Sequence, residues 1–389
     1  MSPDFTPLVS DLRAMFPGAG AGVIPLHAPA FRGKEREYLL ECVESTFVSS
    51  VGAFVDRAEE VLAAQTGAAY AVACVNGTSA LHLCLVAAGV RSGDLVLTQA
   101  FSFVATANAI AYTGATPAFL DINRETLGLS PAAVAEFMAN ECERDAKGDW
   151  IHRASRRRVS ACVPMHSFGF VADLDGLAKV CREFDLALVE DAAESLGSTY
   201  KDVHSGTVGV MGALSFNGNK IVTAGGGGMI LTNDEALAKR LKHLSTQAKM
   251  PHKWEYRHDS IGYNYRMPNL NAALLCAQME QLPSYLARKR ALASQYAALL
   301  DDTPLSFCNA PAGQSPNFWL CCALLENGEQ RDAFLATANA AKLICRPAWE
   351  LLSELPIYDH AIQHGTLPVS RDIQARIVNL PSSPHHFDD

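Results

Sequence analysis

The sequence has no stretch of about twenty consecutive apolar residues, no CxxC pair and no surplus of positive charge. Each absence removes a class of protein. Without the long apolar stretch no membrane-spanning helix is expected. The opening MSPDFTPLVSDLRAMF lacks the basic start, apolar middle and small-residue cleavage site of a secretory signal. With 32 Lys+Arg against 41 Asp+Glu the formal charge is −9, which argues against the basic face of a nucleic-acid binder. One short basic run, RASRRR at 153–158, reads as a solvated loop or a local anion site. The eleven cysteines are scattered without ligand spacing. No metal site is therefore expected, and they read as reduced, buried thiols of a cytoplasmic protein. Two nucleotide motifs are missing as well. A P-loop needs GxxxxGK[ST], and Lys220 instead precedes its glycines and is followed by Ile221. The glycines at 206, 209 and 212 have the wrong spacing for a dinucleotide fingerprint, and those at 18, 20 and 22 follow no strand.

What the chain has is length and apolar content. Its 389 residues exceed what one core usually holds, so two domains are expected. Hydrophobic residues make up 49% and charged residues 19%, which fits a large buried fraction. The first 22 residues end in PGAGAG and read as a flexible lead-in, with 1–27 forming an N-terminal arm. Helical periodicity follows at 33–44 and 54–66. From residue 70 an alternation begins. Apolar runs at 70–75, 95–99, 116–122, 159–164, 186–192, 213–216 and 229–232 read as strands, with helices at 80–88, 131–138 and 174–184 between them. Continuous apolar runs belong to strands covered on both faces. Residues 28–265 are therefore expected to form an α/β domain around a mostly parallel sheet. Residues 266–389 are expected to form a smaller α+β domain. Its expected helices lie at 271–282, 286–300 and 331–341, and its strands in PNFWLCCALL, KLICRP and ARIVNL. Lys289 and Arg290 are placed on the outer side of the second helix.

Ligands of parallel sheets gather beyond the carboxyl ends of the strands, and three features fall there. Asn76-Gly77-Thr78-Ser79 opens a helix directly after a strand, either as an ordinary N-cap or as an anion seat made of free amides and hydroxyls. Glu190 and Asp191 end an apolar strand. Neighbours on a strand face opposite ways, so one carboxylate can reach the strand-end pocket, where it needs a cationic partner, or it caps a helix. The third feature is SFNGNKIVTAGGGG, a lone Lys220 followed by four glycines at 225–228. A hairpin, a phosphate cradle and a cofactor pocket all suit it. A lysine, a strand-end carboxylate and a phosphate seat together suit pyridoxal phosphate, whose aldehyde condenses with a lysine and whose protonated ring nitrogen wants an acid.

Six motifs in order, NGTSAL, FSFVATANAI, VEDAAESLGS, SFNGNKIVTAGGGG, GYNYRMPNLNAA and NLPSS, resemble the DegT/DnrJ/EryC1/StrS sugar aminotransferases. These are fold type I enzymes that use pyridoxal phosphate. The resemblance runs from about Ile24 to His385. It implies that Lys220 is the Schiff-base lysine and Asp191 the partner of the ring nitrogen. Gly77, Thr78, Ser79 and Ser215 would hold the phosphate, and Phe103, otherwise an ordinary core aromatic, would stack on the ring. Asn264 would reach the cofactor phosphate of a neighbouring subunit, making the homodimer obligatory and the active sites shared. Tyr263, Tyr265 and Arg266 would lie near the substrate. His166 is a pocket candidate or a structural histidine.

Two departures stand out. Glu194 occupies a position where the family often has glutamine, and Gly226 one where it often has an acid. Both bear on tuning near the ring. QAKMPHKWEYRHDSIGYNYRMPNLNAA and RPAW are most similar to the branch that makes legionaminic-acid and bacillosamine-type precursors. That likeness implies amino transfer from L-glutamate to C4 of a UDP-linked 4-keto-6-deoxy-N-acetylhexosamine. Lys249, Lys253, Arg257, Arg266 and the RASRRR run at 153–158 are candidates to meet the diphosphate. The alternatives are a pyridoxal-phosphate-dependent sugar dehydratase or deoxygenase, a 3-keto-sugar aminotransferase, a lyase, and a non-catalytic regulator. No membrane or nucleic-acid partner is expected.

Overall fold

The computed structural model describes residues 3–384, so His385, the far end of the family-like stretch, lies outside them. Eleven helices are present among the described residues. They are α1 (Thr6–Ala14), α2 (Glu35–Glu44), α3 (Ala53–Thr66), α4 (Gly77–Ala87), α5 (Val104–Tyr112), α6 (Pro131–Glu141), α7 (Leu174–Glu183), α8 (Glu235–Ser245), α9 (Asn269–Leu299), α10 (Gly328–Ala340) and α11 (Pro368–Arg376). The principal strands are β1 (Tyr70–Cys74), β2 (Leu95–Gln99), β3 (Thr116–Leu120), β4 (Val159–Val163), β5 (Ala187–Asp191), β6 (Met211–Ser215) and β7 (Gly228–Thr232). Five shorter ones follow: β8 (Ser306–Phe307), β9 (Cys321–Leu324), β10 (Arg346–Pro347), β11 (Ile362–Gln363) and β12 (Ile377–Leu380).

The large sheet has the order β1-β7-β6-β5-β4-β2-β3-β11. β7 pairs antiparallel with both β1 and β6, and the remaining pairings are parallel. Strands β2, β3 and β7 are buried along their whole length, as helices on both faces require. The expected α/β architecture with a mostly parallel sheet is thus present. A second sheet, β8-β9-β12-β10, is antiparallel and carries the C-terminal part of the chain. The helices begin where the sequence supplies caps. The side chains of Asn76, Asp173 and Asp234 each accept a backbone N–H from the first turn of α4, α7 and α8.

Three expectations change. The opening residues pack instead of trailing. Phe5, Val9, Leu12 and Phe16 are buried in the core of the C-terminal sheet, and Phe5 meets Phe334 of α10 edge-on at 5.6 Å. Their spacing puts all four on one face of a helical path. The helices expected at 271–282 and 286–300 are one 31-residue helix, α9, which runs through Pro283. The loss of one backbone hydrogen bond at proline is offset by burial on both sides of it, since Leu282, Tyr285 and Leu286 continue the apolar face. Lys289, expected outside, is fully buried, and its Nζ donates to the carbonyls of Trp319 and Ser382. Arg290 is also drawn inward, donating to the carbonyls of Pro316 and Gly197.

Three of the four arginines of the basic run pair with acids of this chain, and Arg157 donates to the Gly93 carbonyl. Arg153 and Arg156 pair with Glu143, and Arg158 pairs with Asp94. No helix is long and apolar enough to cross a membrane among the described residues. All eleven cysteines are free, and all but Cys308 are buried. If α1 belongs to the core, Leu12→Ala leaves a cavity and lowers stability by about 2–5 kcal/mol. Urea unfolding reads this as a reduced midpoint, whereas a trailing arm predicts no shift.

Candidate active site

The carboxyl ends of β5 and β6 and the start of α4 open onto a cavity of about 360 Å³. It is lined from the sheet by Asp191 and Ser215, and from α4 by Gly77 and Thr78. Phe103 lines it from the N-cap of α5, and Glu194 and Lys220 from the loops after β5 and β6. Register brings these together, because Ala213 of β6 lies opposite Asp191 and Ser215 lies opposite Gly228 of β7. The approach is close enough to require glycine. A Cβ on Gly77 would sit 2.7 Å from that of Ser215, and one on Gly228 would sit 2.4 Å from the Asn76 carbonyl oxygen.

Asp191 is 5% exposed. Its Oδ2 accepts from the Thr106 hydroxyl at 2.7 Å and its Oδ1 from the Ala193 amide at 3.2 Å. Burial pushes its carboxyl above the ordinary value, against the pull of these donors and of the Lys220 charge. Glu194 is pushed up to about 6, again chiefly by burial and against the pull of Lys220. Lys220 Nζ lies 3.2 Å from Glu194 Oε1 and 4.0 Å from the centroid of the Trp319 ring. Glu190 faces the other way, as alternation on a strand demands. It is fully buried and accepts from the amides of Gly206, Val208 and Gly209, with His166 Nε2 at 2.9 Å.

That placement corrects the reading of His166 as a pocket residue. Its ring is wholly buried, one nitrogen on Glu190 and the other accepting from the Ala172 amide, so it braces β5 from behind. Ser79 does not line the cavity; its amide closes the Asn76 cap at 2.8 Å. Nor do Tyr263, Asn264, Tyr265 and Arg266 line it. The two tyrosine rings stack at 5.1 Å and pack against His82, while Asn264 is exposed and accepts from the Arg266 guanidinium. The sequence reading missed Thr106, Asn217, Asn219, Trp319 and Trp349. Both tryptophans come from the C-terminal part of the chain, and Trp349 stacks on Phe168 at 4.8 Å. RPAW flagged the second only as a motif, and Trp319 was hidden in an apolar run.

The family model for DegT/DnrJ/EryC1/StrS aminotransferases matches residues 29–389. The chain belongs to this family. It is an aminotransferase that depends on pyridoxal phosphate. The GDP-perosamine synthase of Escherichia coli O157:H7 is 35% identical over 362 residues, covering 93% of each chain. That of Caulobacter vibrioides is 35% identical over 364 residues, covering 92% of this chain and 93% of its own. Among solved structures, a DegT DnrJ EryC1 StrS aminotransferase from Brucella abortus superposes with a TM-score of 0.82 at 27% identity. The match covers 90% of this chain and 91% of that one.

The cavity fits the cofactor on its own geometry. Asp191 is a buried acid held by neutral donors, with an open side toward the cavity that suits a protonated ring nitrogen. The α4 amides of Gly77 and Thr78 belong to a first turn, where amides have no partner within the helix, and Ser215 adds a hydroxyl. Lys220 enters from the opposite loop, and the exposed face of Phe103 borders the same space. Behind the site, burial alone would raise Glu190, yet His166 and the amides hold its carboxyl below the ordinary value of 4.5. Its stabilising contribution is therefore complete above 4.5 and lost as pH falls through the lower folded value. Glu190→Gln should cost about 3 kcal/mol at neutral pH. Urea midpoints of the two proteins should converge in acid; a gap that widens there would contradict the assignment.

Proposed function

We propose that the enzyme moves an amino group from L-glutamate to C4 of a nucleotide-linked 4-keto-6-deoxy sugar, with a UDP-linked N-acetylhexosamine as its acceptor. The observation that carries this reading is that Lys220, 3.2 Å from the buried Glu194, shares one cavity with the buried Asp191 and the first turn of α4. The names of the two perosamine synthases support a nucleoside-diphosphate sugar, and the sequence likeness of the 247–273 stretch supports the N-acetylated acceptor. Retention of Lys220 disfavours the dehydratase alternative, in which a histidine replaces that lysine.

The bound cofactor supplies an electrophilic carbon and an electron sink. The chain's own residues do the rest. Asp191 holds the proton on the ring nitrogen. The α4 amides with Thr78 and Ser215 seat the phosphate, and Phe103 covers a ring face. In each half-reaction Lys220 takes a proton from one carbon and delivers it to another, starting at the donor's α-carbon in the first and ending at the acceptor carbon in the second. Glu194, facing Lys220, borders the ring.

The dimer and its shared site belong to the same proposal. Among the described residues, this chain's cavity lining offers one cation, Lys220, to substrates that are polyanions. Lys249, Lys253, Arg257 and Arg266 lie outside it, on a segment that also exposes Trp254 at 75%, Tyr256 at 81% and Ile261 at 84%. A second copy laying this segment over the cavity would cover the apolar rings, supply the missing positive charge and bring Asn264 to the phosphate. The proposed division is a cofactor domain at 28–265 and a small domain at 266–389, with the arm at 1–27 packing Phe5, Val9, Leu12 and Phe16 into the core of the small domain and Trp319 and Trp349 closing the cavity from that domain. Eleven free cysteines support work in the reducing cytoplasm.

Incubation with glutamate and a panel of 4-keto and 3-keto nucleotide sugars should give 2-oxoglutarate fastest with the UDP-linked 4-keto N-acetyl compound. Preference for a 3-keto or GDP-linked sugar would overturn that part of the proposal. Lys220→Ala should abolish turnover and the visible absorption of the bound cofactor. Mixing Lys220→Ala with Asn264→Ala chains should restore about a quarter of wild-type activity if each site draws on two subunits. No recovery in verified mixed dimers would refute sharing.

A further inference from the structure

Trp319 has no part in the scheme above, yet its placement is over-determined. It is 5% exposed, and its indole face meets Lys220 Nζ at 4.0 Å from the ring centroid. Its indole N–H donates to the Asn219 carbonyl at 2.6 Å, one residue before the lysine. Its backbone amide donates to Asn317 Oδ1 at 2.7 Å, and its carbonyl accepts from the buried Lys289 at 3.2 Å. Asn317 in turn donates from Nδ2 to the carbonyls of Glu194 and Leu196, each at 2.9 Å. Glu194 is fixed at its other oxygen by the Phe168 amide at 2.9 Å. Burial of a tryptophan requires only apolar neighbours and one partner for its N–H. Here every polar group of the residue is engaged, and the ring is aimed at a lysine inside the cavity.

We propose that Trp319 and Glu194 form a dock for the amine of Lys220 once it is free, holding it as an ammonium between its two proton transfers. This rests on the role given to Lys220 above. In the first transfer the amine nitrogen gains the proton from the donor's α-carbon, and the electron pair of that C–H bond stays with the carbon framework. In the second, within the same half-reaction, the ammonium delivers the proton to the other carbon of the shift and becomes an amine again. Between them the cation lies on the indole face, where such contacts stabilise a partly desolvated ammonium, beside the Glu194 carboxylate at 3.2 Å. The small domain thereby reaches the reacting proton through one side chain. Trp319 is a positioning residue in this account, because it acts through Lys220.

The dock can be read without turnover. In the full-length chain free of cofactor, brief acetylation with acetic anhydride followed by peptide mass spectrometry reports the reactivity of each lysine. Trp319→Leu should raise labelling of Lys220 about tenfold relative to the exposed Lys239, Trp319→Phe much less, because it keeps an aromatic face. The isosteric Glu194→Gln should also raise it. Lys289 should stay protected throughout; its labelling in Trp319→Leu would report an opened fold, and Glu194→Gln would then decide. Equal labelling of Lys220 in wild type, Trp319→Leu and Glu194→Gln would overturn the proposal. In the holoenzyme, α-deuterated glutamate should lose more label to water per 2-oxoglutarate formed in Trp319→Leu than in wild type, since an undocked ammonium exchanges before it returns its proton. An unchanged ratio would likewise count against the dock. Because the labelling result is independent of the acceptor, it separates failure of the dock from failure of the sugar assignment.

Discussion

The structure depends on keeping two carboxylates and one lysine together in a place largely closed to water. Asp191 and Glu194 lie three residues apart, and both are nearly buried. A buried unpaired carboxylate is costly, and burial already draws both acids toward their neutral forms. What makes the cluster tolerable is Lys220 at 3.2 Å from one of them and hydrogen-bond donors on the other. A sideways slip of one residue between β5 and β6 would reverse which side chains face the cavity, so the charge cluster and the strand register stand or fall together.

The support behind the cluster is equally specific. Glu190, adjacent to Asp191 but on the opposite side of the strand, gathers three amides of the 206–209 turn and His166. The acid that lines the cavity is thus steadied by an acid that faces away from it. On the other flank, Asn317 links the Glu194 loop to Trp319, and Lys289 links Trp319 to Ser382 near the end of the described chain. Helix α9 carries that lysine from the core beneath the large sheet into the core of the small one, which is why an uninterrupted helix matters more than the hydrogen bond lost at Pro283.

The parallel sheet was legible because strands buried on both faces print as unbroken apolar runs, and LVLTQ and the ALVED core of its run mark their strands closely. That Lys220 and Asp191 line one cavity was legible because each lies at or just after the end of a strand. Less legible was anything that depends on a distant partner. Lys289 looks like a surface residue until the carbonyls of Trp319 and Ser382 arrive from 30 and 93 residues away. His166 could not be told from a ligand-binding histidine, since it lies in a loop and its partner Glu190 stands 24 residues on, in β5. The opening helix was obscured by the glycines that follow it, although Phe5, Val9, Leu12 and Phe16 already carry the period of a buried face. Trp319 sits beside Phe318, whose φ of +47° breaks the run that otherwise reads as one long strand.

The glycine run after Lys220 answers in the same terms. Gly225 and Gly227 have φ values of +72° and +144°, which side chains resist, and Gly228 has no room for a Cβ. Gly226 differs. It lines the cavity, its φ is unexceptional, and a Cβ there would meet nothing closer than the Val75 carbonyl oxygen at 4.0 Å. Backbone geometry therefore demands glycine at three of the four positions and leaves the fourth free, at the place where the family pattern often carries an acid. A third carboxylate beside Asp191 and Glu194 would make the lining more negative. With glycine there, the positive end of α4 and Lys220 share the cavity with two carboxyl groups instead of three, in a chain whose net charge is already −9.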